Sequence, residues 1–275
     1  MQKPRATIIG GKGFIGRHLA ARLLATGWDC HLPDRHAPLD GEEDMGHLFY
    51  CAGLTADYLQ RPFDTIEAHV SQLSRILQTG RFTSLTYLSS TRLYDSQPGT
   101  EGSEELPLLL NPTNPRHIYD LSKALGESLC QVTGKGRARV ARLSCVYNDH
   151  TDEDGFLPGL LRQLIKDSPS LLEVDSSPAF ARDYIHLEDV LDALILIATQ
   201  GNEGIYNVAS GENIGNKTLF AALSQVSGCK IIPLRNDDSP APARISINKM
   251  QKEFDWQPIP VLEKITSLIE ENRQC

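Results

Sequence analysis

The chain has 275 residues, 40% of them hydrophobic and 23% charged, so it carries enough apolar surface for a full core and is not a disordered polymer. A formal charge of −8 argues against nucleic acid as a partner, since proteins that track phosphates present a basic face; one or two arginines could still hold a phosphorylated small molecule. No apolar run approaches a bilayer span and the first strand is expected to start by Ala6, leaving no room for a signal peptide, so a cytoplasmic protein without a membrane partner is expected.

Residues 6–10 (ATIIG) are apolar and β-branched and lead through glycines into RHLAARLLATG, whose apolar positions repeat at helical spacing: a strand, a tight turn and a helix. A second short strand covers roughly Asp29 to Leu32, and HLFYCAG at 47–53 has the continuous apolar character of a parallel strand covered on both faces. The helix FDTIEAHVSQLSRILQTG follows, then the strand SLTYLSS at 84–90, a helix YDLSKALGESLCQVTG from Tyr119, and the strand RVARLSCVY at 139–147. Such alternation predicts an α/β fold with a doubly wound parallel sheet. Beyond Tyr147 prolines and loops interrupt the pattern. There EDVLDALILIAT reads as a helix, GIYNVAS as a strand returning to the main sheet, and NKTLFAALSQVSG and VLEKITSLIEENR as amphipathic helices closing a smaller lobe. The expected division places residues 1–147 and about 183–209 in the sheet domain, and about 148–182 and 210–275 in the lobe. The turn-rich stretch 235–244 is expected to be the most mobile loop.

Gly10, Gly13 and Gly16 stand in a GxxGxxG arrangement at the first strand-to-helix turn, with Phe14 and Ile15 between the last two. Backbone N–H groups and the helix dipole there face an incoming pyrophosphate, and glycine lets the chain approach it closely. Glycine turns between strand and helix are common, so the motif alone decides nothing. Asp34 adds weight: it lies 24 residues past Gly10, after the second strand, placed to accept hydrogen bonds from an adenosine ribose, with a simple turn aspartate as the plain alternative. A carboxylate repels a 2′-phosphate, so NAD is the expected cofactor. NADP stands second, because Arg35, Lys12 and Arg17 lie close enough in sequence to neutralise a phosphate.

Tyr119 and Lys123 form a YxxxK pair. On a helix, positions i and i+4 share a face, so the ammonium can lower the phenol pKa from about 10 towards neutrality, helped by an oxidised nicotinamide, and Lys123 can also hold the nicotinamide ribose. A phenol so tuned exchanges a proton with a hydroxyl while hydride moves to or from the cofactor. Ser90, with Ser89 and Thr91 beside it, ends the preceding strand at the carboxyl edge of the sheet, where a hydroxyl can hydrogen-bond the reacting oxygen. The plain alternative is a core tyrosine with a solvated lysine. Cys30, Cys51, Cys130, Cys145, Cys229 and Cys275 lack CxxC pairs and metal-ligand spacing, so ordinary thiols in a reducing compartment and no metal are expected.

Together, IIGGKGFIGRHL, the Asp34–Arg35 pair, YCAG, LSSTRLY, YDLSK, RLSCVY, RDYIHLEDV and IYNVASGE resemble, in order and over nearly the whole chain, the extended short-chain dehydrogenase/reductase family of nucleotide-sugar epimerases, dehydratases and reductases. The resemblance implies a Rossmann domain holding NAD(P), a smaller carboxyl-terminal lobe binding a small-molecule substrate, and catalysis by Ser90, Tyr119 and Lys123. It also implies that Cys51, Ala52 and Gly53 flank the cofactor, that Thr91 lies beside the substrate, and that Arg182 meets a substrate pyrophosphate. A salt bridge from Arg182 to Asp183 or Glu188 is the alternative. Arg244 is a further candidate anion contact. The expected activity is that of an NAD(P)-dependent epimerase or reductase acting on a secondary alcohol or ketone of a nucleotide-linked or natural-product molecule. A non-catalytic dinucleotide-binding redox sensor or scaffold competes with it, disfavoured by the intact Ser90, Tyr119 and Lys123. The helices over 63–80 and from Tyr119 match those by which relatives pair, which makes a homodimer an expectation.

The chain also departs from the family pattern. Thr91 and Arg92 stand where the 4,6-dehydratases have Asp-Glu, which argues against sugar dehydration by that mechanism. His69 and Cys145 each replace an asparagine, and Asn148 replaces a glycine. Only 12 residues, Arg35 to Gly46, separate the second strand from HLFYC, too few for a strand, a covering helix and two crossings. The third strand and its helix are therefore expected to be missing or vestigial, and the adenine pocket more open.

Overall fold

The computed structural model describes residues 3–35, 37, 44–149, 151, 155–202 and 204–273. Strand β1 (Arg5–Ile9) buries everything from Ala6 to Ile9 and passes through a glycine turn into α1 (Phe14–Ala25), followed by β2 (Asp29–His31) and β3 (His47–Tyr50). Next, α2 (Pro62–Ile66) continues through a π-helical turn (Glu67–Ser71) into α3 (Gln72–Thr79). The helix expected over 63–80 is thus present, with one wide turn of the kind that often marks functional sites. Strand β4 (Ser84–Ser90) runs into a tight turn (Thr91–Tyr94); β5 (Glu101–Gly102), α4 (His117–Thr133), β6 (Ala138–Leu143) and β7 (Cys145–Tyr147) follow. The sequence reads 139–147 as one strand, but the structure breaks it at Ser144, whose N–H turns to the carbonyl of Val208, so its two halves join different sheets. The remaining elements are α5 (Phe156–Arg162), β8 (Leu171–Val174), β9 (Ala181–His186), α6 (Leu187–Gln200), β10 (Gly204–Val208), β11 (Asn213–Gly215), α7 (Asn216–Ser227), β12 (Lys230–Pro233), β13 (Arg244–Ile245), α8 (Asn248–Phe254) and α9 (Val261–Arg273).

Six parallel strands form the main sheet in the order β10-β6-β4-β3-β1-β2, the Rossmann-type arrangement expected from the alternation. Winding reverses at β1, which pairs with β2 on one side and β3 on the other, and such a reversal opens a crevice beyond the strands' carboxyl ends. One face is covered by α1 and α6, whose Leu19, Leu23, Val190, Leu194 and Ile197 are fully buried in one cluster. Each such side chain contributes roughly 1.5–3 kcal/mol of burial. On the other face, α3 and α4 add Leu73, Ile76 and Cys130 to a cluster with Tyr50 and Tyr87 of the sheet. Among the described residues β2 is the edge strand on the side of the sheet beyond β1, and β10 the one opposite. The expected loss of a third strand and helix falls mainly on residues 36 and 38–43, which lie outside the described residues.

Beside this sheet, β7, β9 and β11 make a three-stranded sheet, and β8 pairs with β12. A second core of Leu157, Leu161, Leu219, Leu223, Ile265 and Ile269 holds α5, α7 and α9 together as the lobe. Within the stretch assigned to the lobe, however, Met250 of α8 and Trp256 join the core of the main sheet, because α8 packs back on β10. Among the described residues no helix is long and apolar enough to cross a membrane.

Candidate active site

The glycine turn is shaped by close approach. Gly10 has φ +80°, and a Cβ there would stand 2.7 Å from the Ala52 nitrogen; a Cβ on Gly16 would collide with the Gly10 carbonyl, so the helix can start tight against the strand only with glycine at both places. Gly13 caps α1 without any side-chain hydrogen bond, which leaves the first-turn N–H groups of Phe14, Ile15 and Gly16 to face an anion. The side chains of Phe14 and Ile15 turn elsewhere, the first stacking on His18 and the second against the core, so only their backbones serve the turn. Gly10, Gly13, Asp34, Arg35, Cys51, Ala52 and Gly53 line one cavity of about 800 Å³ at the winding reversal. A dinucleotide pyrophosphate fits this turn, because its first-turn N–H groups carry no side-chain cap and glycine at 10 and 16 lets strand and helix close tightly around it. Asp34 is not alone there: Lys12 Nζ approaches its carboxylate at 2.6 Å and holds it below the usual carboxylate range, by hydrogen bond first and charge second. Arg35 pairs loosely with Asp64 at 3.5 Å.

Ser90, Tyr119 and Lys123 come together where β4 ends against α4. The two α4 side chains lie one turn apart, each only 4% exposed. The expectation that Lys123 brings the phenol towards neutrality is not met in the free protein. Burial dominates and pushes Tyr119 up to about 12, against the pull of hydrogen bonding from Ser90 and of the Arg92 guanidinium. The lysine ammonium instead donates to the Leu88 carbonyl at 2.8 Å, and burial pushes it down to about 7 against the opposing pull of Glu127 and Cys51. It stands beneath the dinucleotide cavity, where a Cβ on Gly53 would be 3.3 Å from Nζ. Ser90 Oγ accepts the Arg92 N–H at 3.2 Å, and its hydroxyl bonds the Tyr119 phenol, the contact that pulls that phenol down.

His69, in the π turn, is fully buried against the Tyr119 ring, edge to face at 5.3 Å. Its Nε2 accepts the Leu54 N–H at 3.2 Å, so the proton belongs on Nδ1, which faces Ser122 Oγ at 2.8 Å; Ser122 in turn donates to the Tyr119 carbonyl at 2.8 Å. Burial, then Lys123, push the imidazole down to about 2, so it is a neutral strut between the cofactor-side loop and α4. Below, Glu127 takes a two-pronged pair from Arg142 at 2.9 and 2.6 Å, and Arg142 also donates to the Tyr94 hydroxyl at 2.5 Å. This buried network ties α4 to β6.

A second cavity, of about 370 Å³, adjoins Ser90 and is walled by Thr91, Arg92, Arg116, Cys145 and Arg182. Arg182 meets Asp95 at 3.5 Å. The salt bridges named as its alternative are not formed: Asp183 accepts the Ser210 and Gly211 N–H groups at 2.8 Å each, and Glu188 pairs with Arg22. Arg244 is turned away from the cavity, its Nε donating to the Gly211 carbonyl at 3.1 Å, while its neighbours Ala243 and Ile245 form the wall. Sequence reasoning missed Tyr58, Asp95 and Arg116, which sit in loops without periodic signal; it noted Arg92 and His69 only as departures from a pattern.

A family description, the NAD dependent epimerase/dehydratase family, matches residues 6–209. The chain is 27% identical over 252 residues to GDP-6-deoxy-D-mannose reductase of Pseudomonas aeruginosa, covering 81% of this chain and 80% of that protein. It is 22% identical over 307 residues to UDP-glucuronic acid decarboxylase 1 of Danio rerio, covering 95% and 71%. Among solved structures, RMD from Pseudomonas aeruginosa complexed with NADPH matches with a TM-score of 0.74 at 22% identity, over 98% of this chain and 99% of that one. MoeE5 in complex with UDP-glucuronic acid and NAD matches with a TM-score of 0.77 at 17% identity over the same shares. At these identities the structural likenesses establish the fold.

Proposed function

Because the chain belongs to the NAD-dependent epimerase/dehydratase family, we propose that it binds NAD, with NADP as the second choice, and exchanges hydride with a secondary alcohol or ketone of a nucleotide-linked sugar or similar small molecule, as an epimerase or reductase. The observation that carries this reading is the meeting of Ser90 at the end of β4 with Tyr119 and Lys123 of α4: Ser90 lines the arginine-walled cavity, and the Lys123 ammonium lies under Gly53 of the glycine-turn cavity. The bound nicotinamide supplies the centre that gives or takes hydride. Tyr119, protonated at neutral pH in the free protein, holds the proton that a carbonyl oxygen needs; taking a proton from an alcohol requires the phenol to fall, which Ser90, Arg92 and a cationic nicotinamide favour. Ser90 donates its O–H to the same oxygen. Lys123, beneath Gly53, would hold the nicotinamide ribose, and His69 keeps the Leu54 loop in register with α4. Arg182 and Thr91 contact substrate, Arg182 at its phosphates.

A homodimer completes this reading. Phe63 on α2 is 89% exposed beside a groove lined by Leu59, Pro62, Ile66, Ile118 and Leu125, so α2 and α4 offer a knob and a slot that a second copy can meet by two-fold symmetry. The functional reading is tested by fluorescence titration with NADH and NADPH and by turnover of nucleotide sugars. Tyr119→Phe should keep cofactor affinity and lose about 10²–10⁴ in kcat. Full turnover in that variant, or no dinucleotide binding in the parent, would sink it.

A further inference from the structure

Arg92 lies against the Tyr119 phenol, held there by groups of the protein itself. Its guanidinium stands between two rings, 4.6 Å from the Tyr119 centroid and 4.7 Å from that of Tyr58. Nη2 donates to the Tyr58 hydroxyl at 2.6 Å and to the Arg116 carbonyl at 3.4 Å, and Nε pairs with the buried Asp120 carboxylate at 3.3 Å. The Arg116 guanidinium is answered in turn by Asp95 at 2.5 Å. So clamped, the Arg92 charge is a fixed part of the surroundings of the phenol.

Two cations could draw the proton off Tyr119, and their surroundings separate them. Lys123, one turn along α4, aims its ammonium at the Leu88 carbonyl and at the Tyr87 ring, 4.9 Å from its centroid. Burial brings that ammonium down to about 7, so it is mostly neutral in the alkaline range where a phenol ionises. A guanidinium keeps its charge throughout that range. The other groups against Tyr119 are Ser90 at the end of β4, Tyr58 from the loop after β3, the neutral His69 of the π turn, and Asp120 on α4. Ser90 pulls the phenol down by its hydrogen bond; Asp120 and Tyr58 push it up, each by less than Arg92 pulls. Tyr58 follows directly on Leu54–Asp57, which line the dinucleotide cavity, so the loop on the cofactor side also carries the hydroxyl that holds Arg92.

We propose that Arg92 is a positioning residue for the proton step: clamped by Tyr58 and Asp120, it supplies the fixed positive charge against which Tyr119 gives up its proton, the part that spacing assigned to Lys123. The inference rests on the reading above that Tyr119 carries the proton. Difluorotyrosine, whose phenol ionises well below that of tyrosine, put in place of Tyr119 alone and followed by fluorine NMR in the free protein, reads the ionisation midpoint at this one site. An opposite charge within about 4–6 Å moves a titrating group by about 1–3 pH units and Asp120 offsets part of it, so Arg92→Gln should raise the midpoint by about one pH unit. Arg92→Lys keeps a cation without the ring stacking and should raise it by less. Tyr58→Phe, which removes the hydroxyl and keeps the ring, should raise it by a few tenths, and with Arg92→Lys it decides the matter if the glutamine variant does not fold. Lys123→Met should leave the midpoint within a few tenths of the parent's. The inference is overturned if no change at Arg92 or Tyr58 moves the midpoint, or if Lys123→Met moves it as far as the Arg92 changes do. Full turnover in Tyr119→Phe would instead remove the reading of Tyr119 as proton carrier, with these midpoints unaltered.

Discussion

Replacing Lys123 by methionine should abolish turnover and yet make the free protein more stable, by an amount that shrinks as pH rises. Burial moves the ammonium from an ordinary 10.5 to about 7. That displacement corresponds to roughly 5 kcal/mol of destabilisation where folded and unfolded chains both carry the charge. Methionine keeps most of the stem but loses the bond to the Leu88 carbonyl, worth about 1–3 kcal/mol, so the net gain near about pH 6 should be about 2–4 kcal/mol. The folded pKa of this cation is depressed, so between about 7 and 10.5 the unfolded chain binds the extra proton. The parent therefore gains stability as pH rises through that window, and the advantage of methionine should fall by about 2–3 kcal/mol between about pH 6 and about pH 9. Urea unfolding of both proteins at the two pH values, followed by circular dichroism, reads these quantities. A variant less stable than the parent at the lower pH, or a gap that does not narrow at the higher one, would refute the view that Lys123 is a strained charge retained for function.

Three further changes probe other joints of the molecule. Gly126→Ala places a Cβ 2.5 Å from the Tyr87 hydroxyl and 2.9 Å from the His69 carbonyl, so overpacking of about 1–3 kcal/mol should outweigh a helix-propensity gain of about 1 kcal/mol. The melting temperature should drop by a few degrees, with kcat falling too because Tyr119 and Lys123 ride on the same helix; a Tm at or above the parent's would mean that α4 has slack there. Gly16→Ala drives a methyl against the Gly10 carbonyl and should weaken NADH binding by roughly tenfold or more, about 1.4 kcal/mol, with an unchanged Kd in fluorescence titration counting against the cradle. Phe63→Glu should turn dimers into monomers in size-exclusion light scattering, and a monomeric parent would dispose of the α2–α4 interface.

The sequence by itself determined what depends on local spacing. A continuous apolar run at 47–53 marked a strand covered on both faces, SLTYLSS at 84–90 marked another strand, glycine spacing marked the turn into α1, and the four-residue step from Tyr119 to Lys123 put both on one turn of α4. These are properties of a few neighbouring residues, and a doubly wound parallel sheet follows from their alternation. What the tertiary structure alone decided depends on partners brought in from elsewhere in the chain. Val208 draws the Ser144 N–H and splits one expected strand into two sheets. Lys12 neutralises Asp34, and the Gly211 carbonyl turns Arg244 away from the cavity. Burial against Tyr58 and His69 raises the Tyr119 phenol, over the opposing pull of Ser90 and Arg92, where spacing alone foresaw a fall. Desolvation and charge pairing are set by three-dimensional neighbours, which no period or motif records.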